Sequence, residues 1–375
     1  MTVTPDTKDW TWVLDQPCPE CGFDATGIDV AAVAAQVRDN ASWWALALTA
    51  PAAARRPRPG AWAPSEYAAP VRDVHRIFGE RLASMLAEDE PTFANWDQDE
   101  AAVAGEYYLA DPASVSTDLV AAAEAAAAAY DAVPASAVDR PGRRSNGSTF
   151  TVLTLARYHL HDVVHHLWDV RGALTVAAYD RQAAAYQQAS THASEAVTEA
   201  TRAFAAAVGA GARVLEIGSG GGRDAVALEA LGCDVRRSDI TPGFVEVLRR
   251  DGHDAEVLDP LTDDLTDTAR DGRLHDAVWA NACLLHVTRE DLPEVLARLA
   301  AVTRADGVIR ATFKEGDGDG WATHGSIEAP RRFTYWRRPA LEAVVAGSGW
   351  RVLETVESDG LRAERWLAVT ARRVG

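Results

Sequence analysis

Val214-Leu215-Glu216-Ile217-Gly218-Ser219-Gly220-Gly221-Gly222-Arg223-Asp224-Ala225 is the stretch on which the reading of this chain turns. An apolar strand ends in an acid, passes into a glycine-rich turn and continues as a helix. Glycine admits positive φ and lets a ligand approach the main chain closely. A pyrophosphate-binding loop would continue as G-x-x-G, with the helix amino end facing phosphate. Here Glu216 closes the strand just before the loop, where a carboxylate suits a cationic amine and repels a pyrophosphate. Taken alone, the glycine string is weak evidence, since an ordinary tight turn also carries it.

Two more acids follow at the ends of the next strands. Asp239 lies 23 residues after Glu216, where a carboxylate accepts ribose hydroxyls. Asp259, in Leu258-Asp259-Pro260, closes the third strand, where an adenine amino group can donate to it. Each acid by itself fits a solvated strand end. Together, beside one glycine loop, they describe a site for a nucleoside that carries no phosphate. Around them, short apolar runs (Arg213–Ile217, Asp234–Ser238, Ala255–Leu258, Ala277–Ala280, Val308–Thr312) alternate with helical segments, beginning with a helix over Ser190–Val208. That alternation predicts an open parallel sheet wrapped by helices.

With these residues in view, the region from Tyr179 to Arg372 resembles a class I S-adenosylmethionine-dependent methyltransferase. Glu216-Ile-Gly218-Ser219-Gly220-Gly-Gly222 is similar to the family's first motif, and Asp239 to its ribose-binding acid, followed here by Ile240. Asp259, with Pro260, matches the adenine-contacting position. Asp276-Ala-Val-Trp-Ala-Asn281, followed by Ala282-Cys283-Leu284-Leu285-His286-Val287, resembles the segment that lines the methionine end of the cofactor. Val302-Thr303-Arg304-Ala305-Asp306-Gly307 resembles the turn before the fifth strand. The resemblance implies a Rossmann-like α/β domain that binds S-adenosylmethionine through Glu216, Gly218, Ser219, Gly220, Gly222, Asp239, Ile240, Asp259, Pro260 and Asn281. It also implies in-line displacement at an activated methyl, for which the protein supplies positioning and a dry pocket.

A general base helps only where the acceptor must lose a proton. His286, after the fourth strand, is the candidate catalytic residue, and its alternative is a helix-start histidine packed at the sheet edge. The segment Phe313–Trp321, glycine-rich and acidic, leads to His324 and then to Arg331-Arg332-Phe333-Thr334-Tyr335-Trp336-Arg337-Arg338. It reads as a lid over an anionic or aromatic small molecule, with His324, Arg332 and Tyr335 facing the acceptor, or as a solvated strand face balancing an acidic protein. The acceptor and its atom are not encoded in any motif.

The first half has a different grammar. Amphipathic stretches over Ile28–Leu48, from Ser65 through Met85, over Ser116–Ala132 and over Thr151–Val170 predict four helices, expected as an antiparallel bundle. Asp29 is placed to cap the first, and Pro70 falls in the early turns of the second. The residues Pro141, Gly142, Asn146 and Gly147 mark turns before the fourth. On that helix His161 and His165 are four apart on one face, with the spacing to share a divalent metal. His159 and His166, seven apart, form a second aligned pair on another face, and periodicity alone does not choose between them. A third ligand must come from elsewhere, and His75 is the candidate. The bland alternative is a set of histidines hydrogen-bonded at the edge of the core.

Trp62-Ala-Pro64-Ser-Glu66-Tyr67 and the His161-x3-His165 spacing resemble the DinB and maleylpyruvate isomerase-like four-helix family. The resemblance implies a divalent metal on three histidines and, in several members, thiol-dependent transfer. The sequence departs from it at the second-helix ligand, which aligns with Pro70, a residue that cannot ligate. Cys18-Pro19-Glu20-Cys21-Gly22 has the spacing of half a zinc knuckle, with no second Cys pair nearby to complete it.

The expected organisation is therefore an all-α four-helix-bundle domain over residues 1–172, a linker over 173–189 and a methyltransferase domain over 190–375. A length of 375 residues accommodates two or three domains. The net charge of −18 disfavours nucleic acid and anionic membranes as partners. Four scattered cysteines and an amino terminus without a basic or apolar leader point to a reduced, cytoplasmic setting. The leading expectation is a methyltransferase acting on a small-molecule acceptor. Its rivals are a metal- and thiol-dependent transferase centred on the helical half, and a nucleoside sensor without turnover.

Overall fold

The computed structural model describes residues 10–58, 60–270, 272–322, 327–360 and 364–375. The chain divides into two compact units, Met1–Ala177 and Ala178–Gly375.

In the first unit a 3-10 turn, Trp10–Leu14, precedes α1 (Val30–Ala47) and α2 (Pro64–Ala87). Strand β1 (Thr92–Phe93), the short α3 (Gln98–Ala104) and α4 (Pro112–Asp131) follow. A β2–β3 hairpin (Pro141–Arg144 and Thr149–Thr151) then leads into α5 (Val152–Asp169). Helices α1 and α2 each pack on both α4 and α5. The alanine run of α4 turns Ala122, Ala123, Ala126 and Ala127 inward, and such small side chains let neighbouring helices approach closely. Asp29 stands at the α1 N-cap but makes no capping hydrogen bond, whereas Thr151 and Thr154 bond reciprocally at the start of α5. Pro70 lies inside α2, six residues beyond its start. The stretch expected only as turns, 141–147, forms a hairpin instead. Its Asn146-Gly147 pair, with Gly147 at φ 100°, supplies the left-handed backbone that a tight reversal needs.

Residues 173–189, expected as a linker, are helical. They fall in α6 (Arg171–Arg181) and α7 (Ala183–Ala189), where Tyr179 and Tyr186 put a weak apolar stripe on an alanine-rich sequence.

The second unit continues with α8 (Glu195–Val208), β4 (Arg213–Ile217), α9 (Arg223–Ala230), β5 (Asp234–Asp239), α10 (Pro242–Arg250) and β6 (Ala255–Val257). Beyond these come β7 (His275–Ala280), α11 (Leu292–Ala301), β8 (Thr303–Glu315), β9 (Asp319–Ala322) and β10 (Arg331–Trp336). The unit ends with α12 (Arg338–Gly347), β11 (Trp350–Asp359) and β12 (Arg365–Arg373). Seven strands lie in the order β11-β12-β8-β7-β4-β5-β6. Only β12 is antiparallel to its neighbours on this path.

Alternation along the strands feeds two cores. Leu215, Ile217, Val278 and Ala280 face α11 and α12 through Val295, Leu299 and Leu341. Val214, Ala277 and Trp279 face Phe204 of α8 and Leu228 of α9. The chain runs from β4 outward to β6 and then crosses to β7 on the other side of β4. That reversal opens a crevice at the carboxyl ends of β4 and β7, the place where open α/β sheets bind ligands. Among the described residues, no helix is long and apolar enough to cross a membrane.

Candidate active site

The glycine loop lies at this crevice, and its conformation depends on glycine at specific positions. Gly218, Gly220 and Gly222 have φ of 72°, 53° and 81°. A Cβ on Gly218 would stand 2.3 Å from the Cβ of Cys283, in the loop after β7. The two loops of the switch point therefore touch through a hydrogen atom's width that only glycine leaves. At Gly220 the same test finds only Tyr186, at 3.8 Å, so its main chain is open to a ligand on that side.

Carboxylates gather around the loop. Glu216 is 2% exposed and accepts the Ser219 hydroxyl. Burial, opposed by the Ser219 hydrogen bond and reinforced by the neighbouring Asp224 and Asp239, pushes its carboxyl up to about 8. Asp239, 6% exposed, accepts the amides of Gly220 at 2.9 Å and Thr241 at 2.8 Å, and burial raises its pKa against those bonds. A buried cluster of acids with one member near neutrality is chemically suited to a cation. Ile240, the next residue, keeps 40% of its surface exposed, an apolar face beside Asp239. Asp259 uses its carboxylate locally, accepting from Leu261 N and the Thr262 hydroxyl, and Pro260 is buried with its carbonyl held by Arg298.

Asn281 is fixed from both sides. Its amide donates to Asp224 at 2.7 Å and its oxygen accepts the Thr312 hydroxyl at 2.9 Å. Thr312 in turn accepts the amide of Ala282, which has a left-handed φ of 55°. A non-glycine residue held there stores strain that this network maintains.

His286 sits at the far side of the crevice with both ring nitrogens engaged. Nδ1 lies 2.6 Å from the Arg332 carbonyl, which can only accept, so Nδ1 carries the proton. Nε2 therefore accepts the Tyr179 hydroxyl at 3.1 Å, and Tyr179 accepts Arg331 at 3.3 Å. Burial holds His286 down to about 4 and pushes Tyr179 up to about 12. The imidazole is neutral and its lone pair is occupied by Tyr179.

An aromatic wall joins the two ends of the crevice. Tyr186 and Phe244 are 5.3 Å apart, Phe244 and Tyr179 5.9 Å, Tyr179 and His286 5.4 Å, and His286 and Phe333 4.7 Å. Tyr179 and Tyr186 lie in the stretch taken for a linker, and their seven-residue spacing, two helical turns, was the available signal.

The segment after β8 differs from the expected lid. It is built as β9 and β10, with β10 pairing to both β9 and β8. Arg332, expected to face the acceptor, is 1% exposed and ion-paired with Asp319, so it holds the segment together instead. Tyr335 is half-buried with its ring over Gly316. His324 lies outside the described residues.

In the first unit His75 does not join His161 and His165. It lies 3.0 Å from His159, which bonds Tyr130 at 3.0 Å on its other nitrogen, in a buried chain. The three-histidine set implied by the family resemblance is therefore not assembled. Cys18 and Cys21 are what meet His161 and His165: one donor atom from each lies within 4.8 Å of all the others.

Sheet order, switch point, glycine loop and buried acids together define a class I S-adenosylmethionine-dependent methyltransferase domain. Residues 215–311 match the family described as Methyltransferase domain, and the chain is an S-adenosylmethionine-dependent methyltransferase. Among solved structures it is similar to 1,6-didemethyltoxoflavin-N1-methyltransferase of Burkholderia thailandensis, which is 22% identical (53% of this chain, 88% of that one, TM-score 0.42). It is also similar to the CcbJ methyltransferase of Streptomyces caelestis, 17% identical (53% and 98%, TM-score 0.41). N-methyltransferase NodS of Bradyrhizobium japonicum WM9 is 15% identical (48% and 94%, TM-score 0.37). No curated protein matches the chain.

Proposed function

We propose that the enzyme methylates a small-molecule acceptor at the crevice between the β4 and β7 loops, and that neither nucleic acid nor membrane is its partner. S-adenosylmethionine, when bound, supplies a sulfonium methyl already activated for in-line transfer. In this reading Glu216 takes up the amine end, and the backbone of Gly218, Ser219, Gly220 and Gly222 gives close approach. Asp239 accepts ribose hydroxyls, Ile240 and Pro260 flank the adenine, and Asp259 receives its amino group once its local turn relaxes. Asn281 acts as a positioning residue, since Asp224 and Thr312 already claim its side chain.

The observation that carries this reading is the pair of buried acids, Glu216 and Asp239, at the ends of β4 and β5 beside a loop whose Gly220 leaves its main chain open. At the acceptor end His286 works through Tyr179: the imidazole lone pair orients the hydroxyl, and the aromatic wall excludes water. We place the working start of the methyltransferase domain at Tyr179, ahead of residue 190, because Tyr179 and Tyr186 belong to that wall. We read the first unit, on its two resembling motifs, as a DinB-like four-helix bundle. The four free cysteines support a cytoplasmic setting.

Calorimetric titration with S-adenosylmethionine and S-adenosylhomocysteine tests the site. Both should bind, one per chain, with micromolar affinity, and Gly220→Val should abolish binding by filling the space of the backbone approach. Unchanged affinity in that variant would show that the cofactor does not use this loop. Labelled S-adenosylmethionine incubated with a small-molecule extract then reports the acceptor class.

A further inference from the structure

The Cys18–Cys21 segment and the His161/His165 pair are unused by the methyltransferase site, yet the fold brings them together from 147 residues apart in sequence. The turn Cys18-Pro19-Glu20-Cys21-Gly22 is closed by two backbone hydrogen bonds, Gly22 N to Cys18 O at 2.8 Å and Cys18 N to Phe23 O at 2.9 Å. Gly22 takes the left-handed backbone, φ 74°, that this reversal needs. The turn presents both sulfurs to one face of α5, where the four-residue spacing aligns His161 with His165.

The four donor atoms lie within 4.8 Å of one another. A tetrahedral ion with metal–sulfur bonds of about 2.3 Å and metal–nitrogen bonds of about 2.0 Å would set its donors roughly 3.3–3.8 Å apart. The Cys18 Sγ to His165 Nδ1 distance, 3.7 Å, already has that value. Among the described residues His161 Nε2 is buried without a hydrogen-bond partner, as expected of a donor aimed at something other than protein. The second nitrogen of His165, Nε2, faces the Glu20 carboxylate at 3.7 Å, longer than a hydrogen bond but on the side where a ligating histidine takes its outer partner. Trp10 packs over both imidazoles, at 5.5 and 4.8 Å, and Phe23 flanks His161.

We propose that Cys18, Cys21, His161 and His165 hold a structural zinc ion, bound through the two sulfurs, His161 Nε2 and His165 Nδ1. Two thiolates and two imidazoles select zinc over oxygen-loving cations, and four protein donors leave no open position for catalysis. A cavity of about 600 Å³ runs alongside, lined in part by Trp10, Glu20, His161 and His165. With all four positions filled, the ion would shape the wall of this cavity and pin the segment Trp10–Phe23 to α5. The site replaces the three-histidine arrangement that the sequence resemblance implied.

The test is elemental analysis of the full chain, purified under reducing conditions without added metal. One zinc per chain is expected, lost in Cys18→Ser/Cys21→Ser and in His161→Gln, and retained in His75→Gln. Where a variant fails to fold, the wild-type chain decides: titrating its thiols with an organomercurial should release zinc stoichiometrically to a chromogenic chelator. Cobalt exchanged for zinc should give the intense visible bands of a tetrahedral site and a thiolate charge-transfer band. A metal-free wild type, a Cys18–Cys21 disulfide in the protein as isolated, zinc lost on His75→Gln, or six-coordinate cobalt would each overturn the proposal. None of these outcomes bears on cofactor binding in the second unit.

Discussion

At their candidate sites the two units bury opposite kinds of titratable group. In the first, imidazoles are buried, and desolvation holds His75 and His161 down to about 3, so both stay neutral. In the second, carboxyls are buried, and desolvation pushes Glu216 to about 8 and raises Asp239. Both arrangements are costly without a cation, but they suit different ones. Neutral nitrogen and sulfur donors suit a small, soft metal ion. Clustered carboxyls around an open main chain suit a larger organic cation with hydroxyls. The contrast teaches that the electrostatic character of a buried cluster, more than its location, indicates the class of ligand.

The largest effect that would break this contrast lies at the switch point. Gly218→Ala forces an L-residue into a left-handed backbone and drives its Cβ into Cys283. A destabilisation of roughly 2–4 kcal/mol is expected from those two costs. Gly220→Ala meets only the Tyr186 ring, at 3.8 Å, and should cost about 1 kcal/mol. Denaturant unfolding of both variants measures the difference; equal costs would mean that the two loops do not touch as described.

Next comes the pH dependence of cofactor affinity. A cationic ligand needs Glu216 ionised, while the free protein holds it protonated up to about 8. Affinity should therefore rise with pH, up to about tenfold per unit, and level off above about 8. S-adenosylhomocysteine, which keeps the amine, should show the same slope, and Glu216→Gln should flatten both. A flat wild-type profile would remove Glu216 from the amine site.

The first unit should respond to acid. His75 takes up a proton near 6.5 when unfolded and only near 3 when folded. The unfolded chain then binds more protons between those values, so stability is lost as pH falls through that window. A step from pH 6.5 to pH 5 should cost about 2 kcal/mol. Tryptophan fluorescence against denaturant at both values checks it. His75→Phe should reduce the change by about that amount, leaving the part that His159, His161 and His165, also lowered by burial, contribute.

The smallest expected effect is at the acceptor end. Tyr179→Phe removes one buried hydrogen bond, worth about 1 kcal/mol. It also frees the His286 lone pair, so His286 should titrate higher in an NMR pH series. No movement of that titration would mean that the hydroxyl does not hold the ring.

Much of the second unit was legible in the sequence because its information is local. A strand, an acid, a glycine turn and a helix occupy Val214–Ala225, and the period of each segment declares it. The four long helices of the first unit were legible for the same reason. The β9–β10 extension was not, since Arg331 and Arg332 look like surface residues until Asp319 and Tyr179 partner them. The α6–α7 stretch was obscured by its weak periodicity, although its two tyrosines face the crevice.

By itself the sequence determined the five parallel strands of the methyltransferase sheet, the glycine loop and the acids at its strand ends, because hydrophobic period and glycine placement act within a few residues of the chain. Only the tertiary structure decided which distant groups meet. Cys18 finds His165, His75 finds His159 and Tyr179 finds His286 because packed helices and strands carry them there. No pattern of spacing records which residues far apart along a chain will share one small volume after the cores have closed.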